Sequence, residues 1–515
     1  MTIQFKQVAQ VSGISNLGTI EEYYCGYSFG FAVVINTTLP AVVFSYENDG
    51  YPAVGILIGN SAQYYGGDVS GETATIASYH TPIIFFQNNV LILAIYGSSG
   101  YSWDYTSSAI VYDIQSNTSN FTEYLLPQSL SSSYVFRGWL DAYLDFQNQN
   151  LYLLGINYNE FIVLLFAIPF SELPTLLNTL QLPTTFKEAS LMPPNGENLL
   201  SYDQTYPPFC AEGGYDIAPT MIYYNEQFYL FFQSGDEDIY AWTFSLSEIT
   251  WATTLPTATS STIGGSTYYY VPSNLQTIGN VTNIIPSSEF PDIYIYYFNV
   301  SFNYYISNGS IYPEILVPVV LWNYTNSVGW SYVILSVNPS TLNVTIIANL
   351  IYTQISSSTD VYPVAPTYIT GGLVIAEAYA YSSYYYIFVY DRNTGDTALF
   401  SPPSGIIFAV PAGGGYIIAV TGSYTNATIT IYQVVADAVP VIANLQYSDN
   451  TITGTVEDLV NNTPVAGATV ALFQLISQGG YEFSGTLVDT ITTDSNGNFS
   501  FLVTQQGYYA IRAFT

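Results

Sequence analysis

Basic side chains are almost missing from this chain. Against 37 acidic residues it has five, Lys6, Arg137, Lys187, Arg392 and Arg512, scattered singly, and its net charge at pH 7 is -32. Nucleic acid is excluded as a partner, because neutralising phosphates takes clustered Lys and Arg. Charge of either sign is scarce, at 8% of residues against about 25% in an ordinary soluble domain, so the acids are not enriched and salt-adapted solvation is excluded. A surface of uncharged hydrogen-bonding groups keeps its character when carboxylates protonate near pH 4, and a lysine-poor chain escapes self-repulsion in acid. We read an acid-exposed protein, with a secreted glycan-handling protein at neutral pH as the alternative.

Cysteine and histidine are nearly absent as well. Cys25 and Cys210 are too few for a disulfide scaffold and lack CxxC spacing; they form one long-range bridge or are two unrelated thiols. Any Ser-His-Asp triad would need the single histidine, His80, and no GxSxG elbow accompanies it, so a structural role is expected. One His and two distant Cys deny zinc its usual ligand set, and no metal, cofactor or catalytic residue is expected. The opening residues lack the apolar core of a secretory signal, which points to a removed leader or another route out of the cell. Long apolar runs are missing: Phe161 to Phe170 (FIVLLFAIPF) is about half of what a bilayer helix needs, so no membrane span is expected.

What the chain does have is 49% hydrophobic residues with 51 Tyr and 29 Phe, which excludes disorder as the dominant state. Nearly every segment alternates or runs apolar for four to eight residues before a Gly, Pro, Asn or Asp, so an all-β protein is expected. Short helices are expected at Ser171 to Leu180 and around Lys187 to Leu191. A loose unit recurs: an apolar hairpin, as at Pro82 to Tyr96, Ala142 to Leu154, Thr220 to Phe232, Thr367 to Ala376 and Ile406 to Val420, followed by a further strand, as at Ala109 to Ile114, Ile239 to Leu246, Tyr386 to Arg392 and Thr428 to Val434.

This spacing, with the cadence Asn150 to Gly155 (NLYLLG), resembles kelch-type β-propeller blades, although the Gly-Gly doublet and spaced Tyr and Trp of kelch repeats are mostly absent. The resemblance implies a propeller over 20–436 with about seven blades, six or eight being alternatives, after an N-terminal segment 1–19. A large β-sandwich array is the competing fold. From Thr451 (TITGTVEDLVNNTPVAGATVALF) through Thr493 (TDSNGNFSFLV) to Gly507 (GYYAIRAF), the chain resembles carboxypeptidase regulatory-like, prealbumin-like domains. That implies a small β-sandwich over 437–515 acting as spacer or docking module; with no Lys after Lys187, the isopeptide crosslink of some such domains is impossible.

Propellers host sialidases, whose carboxylate site uses several arginines, and only Arg137 and Arg392 precede the last unit. A glycosidase pair would have to come from carboxylates such as Asp141, Asp145, Glu212, Asp216, Asp236, Glu237 and Asp238. Asp236-Glu237-Asp238 and Asp494 to Asn498 are candidate calcium loops, read as hairpin turns because the second lacks the Gly and distal Glu of an EF-hand. Eleven N-x-[ST] triplets, at Asn36, Asn117, Asn120, Asn280, Asn299, Asn308, Asn323, Asn343, Asn426, Asn461 and Asn498, are candidate N-glycosylation sites. Tyr clusters such as Tyr268-Tyr269-Tyr270 suit blade packing and subunit contact, or a sugar platform.

Together these features point to an externally displayed structural protein without enzymatic activity. In style the chain is similar to the turret or spike proteins of icosahedral viruses infecting Sulfolobus. That resemblance implies a location on the virion surface, other virion proteins and a host-surface glycan or protein as partners, attachment through the propeller, and a homo-oligomer, with five copies at a five-fold vertex. The alternative is an extracellular S-layer-associated adhesin or glycan-active propeller enzyme of an acidophile.

Overall fold

Alternating apolar residues make strands buried on one face, and unbroken apolar runs make strands buried on both. The computed structural model of this chain is built almost wholly from such strands. It describes residues 3–14, 32–65 except 38–39 and 49–50, 82–127 except 94–95 and 99–103, 136–194 except 158–161, 219–285 except 235–237 and 264–265, 293–351 except 324–328, 361–401 except 381–383, and 403–514 except 424 and 437–439, with 130 and 199. Among these the α-helical content is one short segment, Leu173–Thr179, within the expected Ser171 to Leu180. No helix among them is long and apolar enough to cross a membrane.

Among the described residues seven antiparallel groups of strands succeed one another as the blades of a propeller, four strands in each except the fifth, whose innermost strand is in two pieces, Ile293–Phe298 and Ser301–Ser307. They span residues 32–65, 83–122, 136–192, 220–285, 293–351, 361–400 and 406–435, here blades 1 to 7. The expected hairpins are the first two strands of blades 2, 3, 4, 6 and 7, and the expected following strands are the third strands of blades 2, 4, 6 and 7. Blade 7 has three strands of its own; its outer strand is Gln4–Ile14, paired antiparallel with Asn426–Val435 from Gln4↔Val435 to Ile14↔Ala427. This corrects the expectation of a segment ahead of the propeller. A ring of sheets has its last edge open, and the polar-alternating start of the chain closes it.

Adjacent blades pack face to face, which explains the unbroken apolar runs. Along Asn150–Asn157, Leu151 and Leu153 join the core shared with blade 2, whereas Tyr152, Leu154 and Ile156 join the core shared with blade 4. Within the run FIVLLFAIPF lies the next strand, Val163–Pro169, buried on both sides in the same way. Lys187–Met192 is the outer strand of blade 3 and no helix: its backbone pairs with Val163–Pro169, and that ladder overrides the local period.

Strand direction sorts the connections onto two faces. First-to-second turns lie on one face and are mostly two-residue turns with positive φ, Asn225-Glu226, Asn308-Gly309, Gly371-Gly372 and Gly414-Gly415, which match the twist of tight hairpins. The chain leaves blade 7 on this face and builds a two-sheet sandwich. One sheet holds Val441–Ser448, Thr451–Asp458, Thr463–Pro464 and Asn498–Leu502; the other holds Thr469–Gly479, Glu482–Thr492 and Tyr509–Phe514. Val456, Val470, Leu472, Phe499 and Phe501 fill the space between them. Blade-to-blade connections leave from the opposite face.

Candidate functional site

The first strand of each blade faces the propeller axis, and the channel there is where a ligand site is expected. It is occupied by the protein itself. The sandwich hairpin formed by Thr469–Gly479 and Glu482–Thr492, 11 residues a strand, outruns the sandwich and drives its tip into the channel.

The tip is held by the inner strands of six blades. Ser477 and Gln478 pair with Asp145 and Leu144 of blade 3, and Phe146 N–H donates to Ile476 O at 2.8 Å. Gly480 N–H donates to Ile83 O of blade 2 at 2.9 Å, and Tyr481 Oη to Val34 O of blade 1 at 2.9 Å. Ser477 Oγ donates to Tyr223 O of blade 4 at 2.9 Å. On blade 5, Tyr304 Oη donates to Gly485 O and accepts from Gly485 N–H, at 2.9 and 3.0 Å. The Tyr481 ring lies against Gly413 of blade 7, where a Cβ would stand 2.2 Å from Cε2; at the tip, a Cβ on Gly479 would stand 2.3 Å from the Tyr143 ring. Glycine is needed at both positions for that approach.

Among the sequence candidates, Asp141 and Asp145 are brought to the channel wall on the first strand of blade 3. Asp145 is fully buried. Its Oδ1 accepts the N–H groups of Gln147 and Asn148 at 3.0 and 2.9 Å, and its Oδ2 accepts Tyr223 Oη at 2.7 Å, Asn148 Nδ2 at 2.9 Å and Tyr152 Oη at 3.3 Å. With five donors it is a structural knot between blades 3 and 4. Burial first, and the Asp145 carboxylate second, push the Tyr152 and Tyr223 phenols far above their usual range, so both stay protonated donors.

Asp141 is 2% exposed; Oδ1 accepts Ala142 N–H at 2.8 Å and Oδ2 lies 3.5 Å from Tyr143 Oη, whose short bond goes to Met221 O. The second carboxylate at this place was missed in the sequence. Glu482, at the plug tip, accepts Ser301 Oγ and, at 2.7 Å, Phe302 N–H of blade 5. Burial first, then the charges of Asp141 and Glu482, raise the Tyr143 phenol well above its ordinary value, so it stays a protonated donor. The legible signal was Gly479-Gly480-Tyr481 closing a hairpin twice as long as the five-residue strand Asn498–Leu502.

The other candidates do not join this site. His80, Cys25, Cys210, Glu212, Asp216, Asp236 and Glu237 lie outside the described residues. Asp238 accepts Tyr240 Oη and Asn283 Nδ2 within blade 4. Asp494 accepts the N–H groups of Asn496 and Asn498, both at 2.8 Å, which lowers its pKa and makes the loop a turn. Among the described residues no three His, Cys, Asp or Glu cluster as a metal would require. Of the sequon asparagines, Asn120, Asn280, Asn308, Asn343, Asn426, Asn461 and Asn498 are exposed, Asn117 accepts Tyr112 Oη at 2.9 Å, and Asn299 is buried. The side chains of Asn36 and Asn323 lie outside the described residues.

No protein-family model matches the chain, and no curated protein does. Solved structures do. A puromycin-hydrolysing peptidase of Mycobacterium tuberculosis is 8% identical, with 89% of this chain and 62% of that one covered and a TM-score of 0.39. An exo-β-1,3-galactanase of Phanerochaete chrysosporium is 10% identical, with 98% and 100% covered and a TM-score of 0.31. The β-propeller domain of a Pyrococcus furiosus protease is 9% identical, with 75% and 92% covered and a TM-score of 0.27. The first matches are longer proteins, of which this chain spans 50% and 62%. Several of these matches bear the names of enzymes, peptidases, a lyase and a galactanase, which corrects the expectation of a chain without enzymatic activity. At 8 to 11% identity the likeness concerns fold and assigns no reaction.

Proposed function

We propose that this chain is an acid-exposed extracellular propeller that recognises glycans of a cell surface or surface layer through the face opposite its sandwich. The observation that carries this reading is the plugged channel: with Gly479, Gly480 and Tyr481 seated from the sandwich side, a ligand has one mouth left. The longest blade-to-blade connections, 15–31, 66–81 and 195–219, leave from that mouth's face. A surface low in charge and rich in Tyr, Ser, Thr and Asn supports sugar contact by hydrogen bonds and ring stacking, and keeps that capacity in acid. The virion-spike reading uses the same face but adds a capsid that nothing further supports, and it stands second.

The test is depletion of the full chain by immobilised neutral and acidic polysaccharides at pH 3 and pH 7, with released reducing ends assayed in the same tubes. Saturable binding at both pH values is expected. Failure to bind every polysaccharide at either pH overturns the proposal. Release of reducing ends that is lost in Asp141→Asn but kept in Asp494→Ala makes the propeller glycan-active, with Asp141 part of the machinery.

A further inference from the structure

Two of the five basic residues of this chain meet at one buried carboxylate, and their charges do not balance. Glu314, on the second strand of blade 5, is 1% exposed and accepts four donors: Asn303 Nδ2 at 2.7 Å and Arg392 Nε at 3.1 Å on Oε1, Ser336 Oγ at 2.7 Å and Arg392 Nη2 at 3.3 Å on Oε2. Its lone pairs are full. Arg512, reaching across from the last strand of the sandwich, therefore donates instead to Asn303 Oδ1, Nη2 to Oδ1 at 2.7 Å, and lies 5.2 Å from the Phe514 ring centroid. Among the described residues no carboxylate is left for it, so the cluster of one Glu and two Arg carries an extra positive charge inside a chain of net charge -32. A cation enclosed by protein without its own anion is costly.

Beside it lies a cavity of about 250 Å³, where the lower turns of blades 5 and 6 meet the sandwich, lined by Ile306, Asn393, Pro440, Ile442, Arg512 and Phe514 among others. Arg512 is among the residues lining this space, and its bond to Asn303 uses one of the five guanidinium donors. Such a volume holds roughly eight waters at about 30 Å³ each, or one small organic molecule. Most of the walls are apolar, and the cation stands at one side.

The geometry points to a binding site for a compact organic carboxylate, its apolar body against Ile306, Pro440, Ile442 and Phe514 and its carboxylate on Arg512. The site is separate from the axial channel and does not depend on the glycan reading. Inorganic sulfate would gain the charge but leave the apolar walls bare; a neutral molecule would fill the walls and leave the cation unpaired. The test uses the full chain at pH 6 and constant ionic strength, titrated by calorimetry with benzoate, its neutral counterpart benzamide, and sulfate. Benzoate is expected to bind at one site per chain, at least tenfold more tightly than either of the others, and Arg512→Met to weaken it at least tenfold. If Arg512→Met does not fold, Val441→Trp, which fills the cavity from a lining position and leaves the charges in place, is expected to abolish binding. No benzoate binding by the wild type, sulfate or benzamide binding as well as benzoate, or unchanged binding in both variants overturns the inference.

Discussion

Tyr481→Ala tests the seating of the plug directly. The phenol of Tyr481 donates to Val34 O at 2.9 Å, and its ring is 5.2 Å from the Phe85 ring and packed on Gly413 and Gly414. Truncating a fully buried aromatic costs about 3 to 5 kcal/mol. Tyr481 is half-buried, so roughly half of that, about 2 kcal/mol, applies to the ring, and the lost hydrogen bond adds about 1 kcal/mol. The expected loss is about 3 kcal/mol, against about 1 kcal/mol for Tyr481→Phe, which keeps the ring. Urea unfolding read by tryptophan emission, paired with limited proteolysis and mass mapping of cuts between residues 469 and 492, gives both quantities. The alanine variant should unfold at lower urea and be cut in the hairpin, while the phenylalanine variant stays close to wild type. If the alanine variant keeps the wild-type midpoint and resists cleavage in the hairpin, the tip is not a seated plug.

Gly413→Ala places a methyl 2.2 Å from the Tyr481 ring, with an expected cost of about 2 kcal/mol that largely disappears in a Tyr481→Ala background; a double-mutant cycle by urea unfolding measures the coupling. Burial raises the Glu188 pKa above 4.5, with Ser190 and Asn274 opposing, so the folded state holds its proton more tightly than the unfolded state. The stability this contributes is present below pH 4.5 and is lost as pH rises through the folded value; Glu188→Gln should flatten that part of the Tm-pH curve. Glu314→Gln removes the only carboxylate beside the two guanidiniums among the described residues, the one paired with Arg392, and should cost about 3 to 5 kcal/mol in the same urea experiment, with Arg512→Met recovering part of the loss.

How much of the molecule was legible follows from where each signal resides. Hairpins such as Ala142 to Leu154 and Thr220 to Phe232 were readable because turn residues and apolar runs are local. Asp141 and Asp145 were readable as acids near such a hairpin, yet their different roles were not. Asp145 is committed by Tyr152 and Tyr223, and Tyr223 is 78 residues away on the neighbouring blade. The helix expected at Lys187 failed for a related reason: the six residues Lys187–Met192 have a weak local preference, and the open edge of Val163–Pro169 decides their conformation.

By itself the sequence determined the all-β class, the recurring hairpins, the low-charge surface and the second β unit, since each rests on residue type and on spacings of a few residues. Tertiary structure alone decided that residues 4–14 close the ring, that the sandwich sends its hairpin into the axis, that Glu482 is held by Phe302 of blade 5, and that Arg512 is left without a carboxylate. These are contacts between residues hundreds of positions apart. They depend on which strand edges and buried charges remain unsatisfied once the blades have formed, and no local pattern records that.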